Sequence, residues 1–301
     1  MQKITPHLWF DREAKEAAEF YISVFSGSAF AGKNSKIKNV TTLHNTPSGD
    51  SDIVAFELSG QSFMAISAGP LFRFNPSVSF HVKCKTKSEV DTIWEKLSKG
   101  GKVLMELGSY PFSQRYGWCN DRYGLSWQVI FAGKSEIKQK ITPVLMFVGK
   151  VAGRAEEAVN FYTSVFHNAK VHNIFRHTKG EAPDKEGTVK YAAFSLENKE
   201  FGAMDSAYDH KFAFNEAISF IVYCATQKEI DYYWEKLSAV PESEQCGWLK
   251  DKFGVSWQIV PKVMREMMVK GTRDQIDRLT QAFLPMKKLD IALLEKAFKE
   301  E

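Results

Sequence analysis

Imidazoles and thiols have the most chemical reach in this chain, and their spacing limits what each can do. Cys84, Cys119, Cys224 and Cys246 form no CxxC pair and stand in no Cys/His cluster spaced for zinc. Cys246, in the run QCGW, has a thiol that could act as a nucleophile, yet no histidine lies close in sequence to serve as its base. His7 sits in the strand-like run ITPHLWF (4–10) and His81 in SVSFHVKC (77–84). An imidazole switches between donor and acceptor near neutral pH, which suits either residue to orienting a polar ligand. Ser77 and His81 fall on one face under the period-two alternation of a strand.

Both runs occur twice, and their second versions lack the histidines. ITPHLWF returns as ITPVLMF (141–147) and SVSFHVKC as ISFIVYC (218–224). FYISVF (20–25) returns as FYTSVF (161–166), WEKLS (94–98) as WEKLS (234–238), and GWCNDRYGLSWQVI (117–130) as GWLKDKFGVSWQIV (247–260). Each copy is far longer than a solenoid unit and large enough to bury its own core. The repeat also judges individual residues. Cys84 and Cys224 hold equivalent strand positions, which suits apolar packing. Tyr116 stands where the other copy has Cys246, which weakens a catalytic role for that thiol. Trp127 and Trp257 alternate with Gln128 and Gln258, so they point to the opposite face and are expected to pack in the core.

The elements that must position these residues follow from periodicity. After Asp11, the residues Ala14, Ala17, Ala18, Tyr21, Val24 and Phe25 form one apolar helical stripe, repeated as Ala155, Ala158, Val159, Tyr162, Val165 and Phe166. Three strand-like runs come next. A second round opens with a strand, then a helix signalled by the capping boxes Thr86-x-x-Glu89 and Thr226-x-x-Glu229. Each copy therefore reads as two βαβββ modules. The expected domains are 1–134 and 141–262, with a polar linker at 132–140 and a helical tail at 263–301. From Leu237 to Gly247 is ten positions, against twenty from Leu97 to Gly117, so copy two should have one wall strand shortened or missing. The halves are expected to form an internal pseudo-dimer, with the tail docked on the sheet exterior.

Composition sets the outer bounds. The 301 residues are 44% hydrophobic and 25% charged, with a net charge of +4 and basic residues scattered among acids. That balance argues against nucleic acid or an anionic membrane as partner. No run approaches a membrane span and the first residues lack a secretory core, so a cytoplasmic location is expected.

The paired βαβββ modules, FYxSVF, the WEKLS helix, QCGWLKDKFGVSWQIVP (245–261) and the tail run MKKLDIALLEKAF (286–298) closely resemble the PhnB-like family. Its members also carry the label "3-demethylubiquinone-9 3-methyltransferase" and belong to the glyoxalase, bleomycin-resistance and dioxygenase (vicinal oxygen chelate) superfamily. The resemblance implies an α+β fold of tandem glyoxalase-like domains, each with a cupped mixed sheet, plus the tail. In single-copy relatives two chains pair to complete the sheets; here fusion would place both on one chain, with further homo-oligomers open. The methyltransferase label finds no support in the residues, since no strand leads into the glycine-rich turn that a doubly wound S-adenosylmethionine enzyme needs.

The superfamily's metal positions map onto His7, Ser77 and Gln128, with His81 as a substitute for Ser77, and in copy two onto Val144, Ile218 and Gln258. A His/His/Gln set lacks the usual anionic oxygen donor, so no metal and no cofactor are expected. The resulting expectation is a small organic ligand in the domain 1 cup, bound by His7, His81, Trp118 and Gln128, with domain 2 mainly architectural and no catalytic residue assigned. Two alternatives stand beside it: a metal-assisted isomerase, lyase or dioxygenase using His7 and His81, and a sequestering, resistance-type binding protein.

Overall fold

The computed structural model describes residues 2–26 and 35–299. Copy one begins with β1 (Ile4–Phe10), α1 (Ala14–Ser26), β2 (Lys36–Thr46), β3 (Gly49–Leu58) and β4 (Gln61–Ser67). Its second module is β5 (Val78–Cys84), α2 (Lys87–Ser98), β6 (Lys102–Tyr110), β7 (Ser113–Asn120) and β8 (Ser126–Phe131). Copy two supplies β9 (Ile141–Phe147), α3 (Ala155–Val165), β10 (Lys170–Arg176), β11 (Val189–Leu196) and β12 (Lys199–Asp205), then β13 (Ile218–Cys224), α4 (Gln227–Leu237), β14 (Trp248–Lys250) and β15 (Ser256–Pro261). The tail is α5 (Lys262–Lys270), α6 (Arg273–Phe283) and α7 (Ile291–Lys299).

Helix positions follow the sequence pattern closely. All six stripe residues of α1 are buried. At α2 the Thr86 side chain accepts from the Glu89 N–H, as a capping box requires, but the Glu89 carboxylate reaches one residue further and accepts from the Lys85 N–H at 2.8 Å. Helix α4 repeats this with Thr226, Glu229 and the Ala225 N–H.

The strands are exchanged between copies. A seven-stranded sheet runs β14-β15-β13-β1-β4-β3-β2 and an eight-stranded sheet runs β10-β11-β12-β9-β5-β8-β7-β6. Each joins the first module of one copy to the second module of the other, through the antiparallel seams β1/β13 and β5/β9. Reciprocal ion pairs mark the exchange: Lys3 of copy one meets Glu229 of α4, and Lys140, just ahead of β9, meets Glu89 of α2 at 2.5 Å. Gln61 adds both an accepted and a donated bond to the Ile141 backbone.

The ring contacts of the two central tryptophans stay within each copy. Trp127 is buried against Tyr21, Phe25 and Phe80, with ring centroids 5.3–5.7 Å away. Trp257 packs the same way on Tyr162, Phe166 and Phe220. Each copy thus surrounds its own tryptophan with rings while lending strands to both sheets, and one continuous apolar core joins the copies. Both sheets, and so both cups, combine strands from either side of the linker at 132–140.

The tail departs from expectation. It lies over the cup face of the seven-stranded sheet, where Met264, Met267, Leu279, Phe283, Leu289 and Leu294 form a second apolar cluster with Leu43 of β2. The physical reason is the shortened wall of copy two. Among the described residues β14 has no counterpart of β6 beside it, and the tail takes up the open backbone: Cys246 N–H donates to Met286 O at 2.6 Å and Gly247 N–H to Lys287 O at 2.8 Å. Docking the tail there satisfies an edge and buries apolar surface in one step.

Candidate functional site

Alternation along β1 sends Ile4, Leu8 and Phe10 into the helix-side core and turns His7 and Trp9 toward the cup. On neighbouring strands the same rule presents Met64 and Ile66 from β4, Ile221 and Tyr223 from β13, and Gln258 and Val260 from β15. With Met264, Met268 and Phe283 from the tail as a roof, these residues enclose a cavity of about 310 Å³. Its walls are mainly apolar with a few fixed polar groups, the usual make-up of a small-molecule pocket.

His7 is the central polar group. It pairs in register with Met64 on one side and Ser219 on the other, and is 4% exposed. Its ring meets Trp248 edge-on at 5.4 Å, and Trp248 meets Trp9 at 6.1 Å. The buried Nδ1 has no hydrogen-bond partner. Burial pushes its pKa down to about 3, so the ring is neutral near pH 7. Beside it Gln258 is held in place, its Nε2 donating to Ser219 Oγ at 2.9 Å. Cys246 also lines the cavity, but burial raises its thiol to about 11 and Sγ lies 3.1 Å from Leu284 O. A protonated, hydrogen-bonded thiol is a poor nucleophile.

The eight-stranded cup is closed by its own side chains. Val144 occupies the position of His7 and faces Ser79. Tyr116 OH donates to Gln128 Oε1 at 2.6 Å, Gln128 Nε2 donates to Ser79 Oγ at 2.8 Å, and Trp118 Nε1 donates to Ser126 Oγ at 2.8 Å. His81 lies in register with Gln128, its ring 5.7 Å from Tyr191. Its pKa is also pushed down to about 3, by burial first and the Lys83 charge second. Gly202 leaves room for Tyr191: a Cβ there would meet Tyr191 Oη at 2.9 Å and Val144 Cγ2 at 3.0 Å.

The four expected ligand-binding residues are therefore not together. His7 belongs to the tail-covered cup, whereas His81, Trp118 and Gln128 belong to the eight-stranded one. Strand exchange is the cause, since it brings β1 of copy one beside β13 and β15 of copy two. The residues that sequence reasoning left out of the site are Gln258, Trp248, Trp9 and the tail methionines. The recurrence of GW and SWQ in copy two is the signal in the sequence that points to Trp248 and Gln258.

Exchange also regroups the metal positions. The residue facing His7 across the seam is Ser219, and Ile218 pairs with Leu8 instead. One imidazole, one serine hydroxyl already accepting a bond, and one amide make up the first set; Val144, Ser79 and Gln128 make up the second. Neither contains an anionic oxygen, so these residues do not fit a divalent metal. Among the described residues no three His, Cys, Asp or Glu side chains group in a way that could hold one elsewhere.

Comparison with known proteins agrees with this architecture. The family model described as 3-demethylubiquinone-9 3-methyltransferase matches residues 2–130 and again 139–260. A solved structure from Bacillus cereus, a putative 3-demethylubiquinone-9 3-methyltransferase named PhnB protein, is 41% identical; the match covers 44% of this chain and all of that one, with a TM-score of 0.39. Glyoxalase I from Zea mays matches over 89% of this chain and 98% of its own at 12% identity, with a TM-score of 0.52, a likeness of fold alone. A search of curated proteins finds no match.

Proposed function

The chain belongs to the 3-demethylubiquinone-9 3-methyltransferase (PhnB-like) family as two fused copies, and we propose that it binds a small, largely apolar organic molecule in the tail-covered cup, without metal and without transferring methyl groups. The observation that carries this reading is His7: a buried ring nitrogen with no partner on the wall of a cavity of about 310 Å³. An unpaired buried polar atom costs about 1–3 kcal/mol, and a ligand supplying the missing bond would recover it. Binding is favoured over proton transfer because an imidazole with its pKa near 3 is a weak base at neutral pH. A metal-assisted mechanism built on His7 with His81 fails on geometry, since the two rings serve different cups. Among the described residues the fold also lacks the strand-to-glycine-turn approach through which doubly wound enzymes hold S-adenosylmethionine.

Native mass spectrometry of protein purified without chelator tests the reading directly. Less than about 0.2 equivalents of transition metal is expected, together with a retained small molecule whose occupancy falls in His7→Ala. Stoichiometric metal lost in that variant, or saturable micromolar binding of S-adenosylmethionine by calorimetry, would overturn it.

A further inference from the structure

We propose that the ligand of the tail-covered cup is a monocarboxylic acid with an apolar body, its carboxylate held by Arg265; the inference rests on the reading of that cup as a binding site. Two cations, Lys38 and Arg265, line the cavity, and among the described residues no aspartate or glutamate does. Lys38 already has an anionic partner, Glu57, at 3.4 Å. Arg265 has none: its guanidinium lies 5.5 Å from the Tyr223 ring centroid, and among the described residues it makes no ion pair or hydrogen bond. One positive charge without a counter-ion therefore lines a mainly apolar chamber.

A second orphan group stands at the same end. Lys38, Met64, Tyr223 and Arg265 also border a narrow extension that contains Thr5. Thr5 is 2% exposed and its buried Oγ1 has no partner. A cation without a counter-ion and a buried hydroxyl without a bond call for the same ligand feature, an anionic oxygen. The planar guanidinium fork matches a carboxylate in two parallel bonds, and a single surplus charge favours a monoanion. Met64, Ile66, Met264, Met268 and Phe283 offer the rest of the molecule hydrocarbon contacts only.

Calorimetry on the full chain with 3-phenylpropionate, its neutral amide and 3-phenylpropylphosphonate separates the possibilities. The acid is expected to bind at least about tenfold more tightly than the amide, or about 1.4 kcal/mol. Arg265→Gln should erase that difference, and a urea unfolding transition close to that of the wild type reports that the variant is folded. Equal binding of acid and amide by the wild type would overturn the assignment of charge and leave the cup as a binding site. An acid preference that survives Arg265→Gln would remove Arg265 from the site, and tighter binding of the phosphonate would overturn the monocarboxylate. Failure of all three probes to bind would overturn the cup reading and this inference with it.

Discussion

Acid should destabilise this protein through two histidines, one in each cup. Unfolded, an imidazole titrates at its ordinary value of 6.5; folded, burial holds both His7 and His81 at about 3. Between those values the unfolded chain binds the extra protons, so the stabilising contribution is complete above pH 6.5 and is lost as pH falls toward 3. At pH 5 the unfolded imidazole is more than nine-tenths protonated and the folded one almost wholly neutral, which costs about 2 kcal/mol per histidine and about 4 kcal/mol for the pair. The magnitude is insensitive to the folded value, because a folded pKa of about 4 would give nearly the same loss at that pH. Urea unfolding at about pH 7.5, 6 and 5 measures it, on wild type, His7→Gln and His81→Gln. Each variant should lose about 2 kcal/mol less than wild type between the extremes. The buried Asp121 and Asp251, whose pKa values are raised by burial, act with the opposite sign but are common to all three proteins and cancel in the comparison. A variant as acid-sensitive as wild type would mean that the imidazole it has lost takes a proton inside the wild-type fold, and for His7→Gln the neutral, binding-only role argued for His7 would fail with it.

Three further outcomes follow from the packing. Gln258→Ala should weaken ligand binding, whereas Gln128→Ala should leave binding intact and cost about 1–3 kcal/mol of stability by freeing Tyr116 OH and Ser79, as calorimetric binding and denaturation of each variant would report. Gly202→Ala should destabilise by about 1–3 kcal/mol through overpacking against Tyr191 and Val144, measured by thermal unfolding. Amides of α6 and α7 should exchange far more slowly than random coil in hydrogen-exchange mass spectrometry, because Leu279, Phe283 and Leu294 are buried in one apolar cluster with Leu43 and Met264; random-coil rates would detach the tail from the cup.

Much of this fold was legible because local and repeated signals agreed. The α1 stripe, the Thr86 and Thr226 caps and the inward Trp127 and Trp257 depend on residues close in sequence or on strict alternation, and each copy states them independently. The absent wall strand was legible from the short interval before Gly247. What periodicity does not encode is which partner a strand takes. Once modules are duplicated, β1 has two nearly identical second modules to choose from, and alignment of the copies treats them as equivalent. The choice is written in scattered single residues: Lys3 toward Glu229, Lys140 toward Glu89, Gln61 toward Ile141. None of these pairs is within 50 positions in sequence, so no local pattern reports them.

The same exchange explains how two cups of common origin came to differ. Each draws its first-module face and its second-module face from different copies, so a change in either copy alters one half of each cup. His7, which shares its cavity with Gln258, leaves a polar group unpaired over open space, whereas the cup of Val144 and Gln128 is filled by Tyr116 and Tyr191. The tail settles the asymmetry further. It follows β15 and therefore lies beside the cup to which copy two contributes its second module, adding Met264, Arg265 and Met268 to that cavity. Copy one is followed by the linker at the corresponding point, so among the described residues the eight-stranded cup has no such roof, and tyrosines from β7 and β11 fill its centre instead. A fused chain can thus leave one cup open over His7 and fill the other with its own buried side chains, an asymmetry that a symmetric pair of identical single-copy chains could not hold.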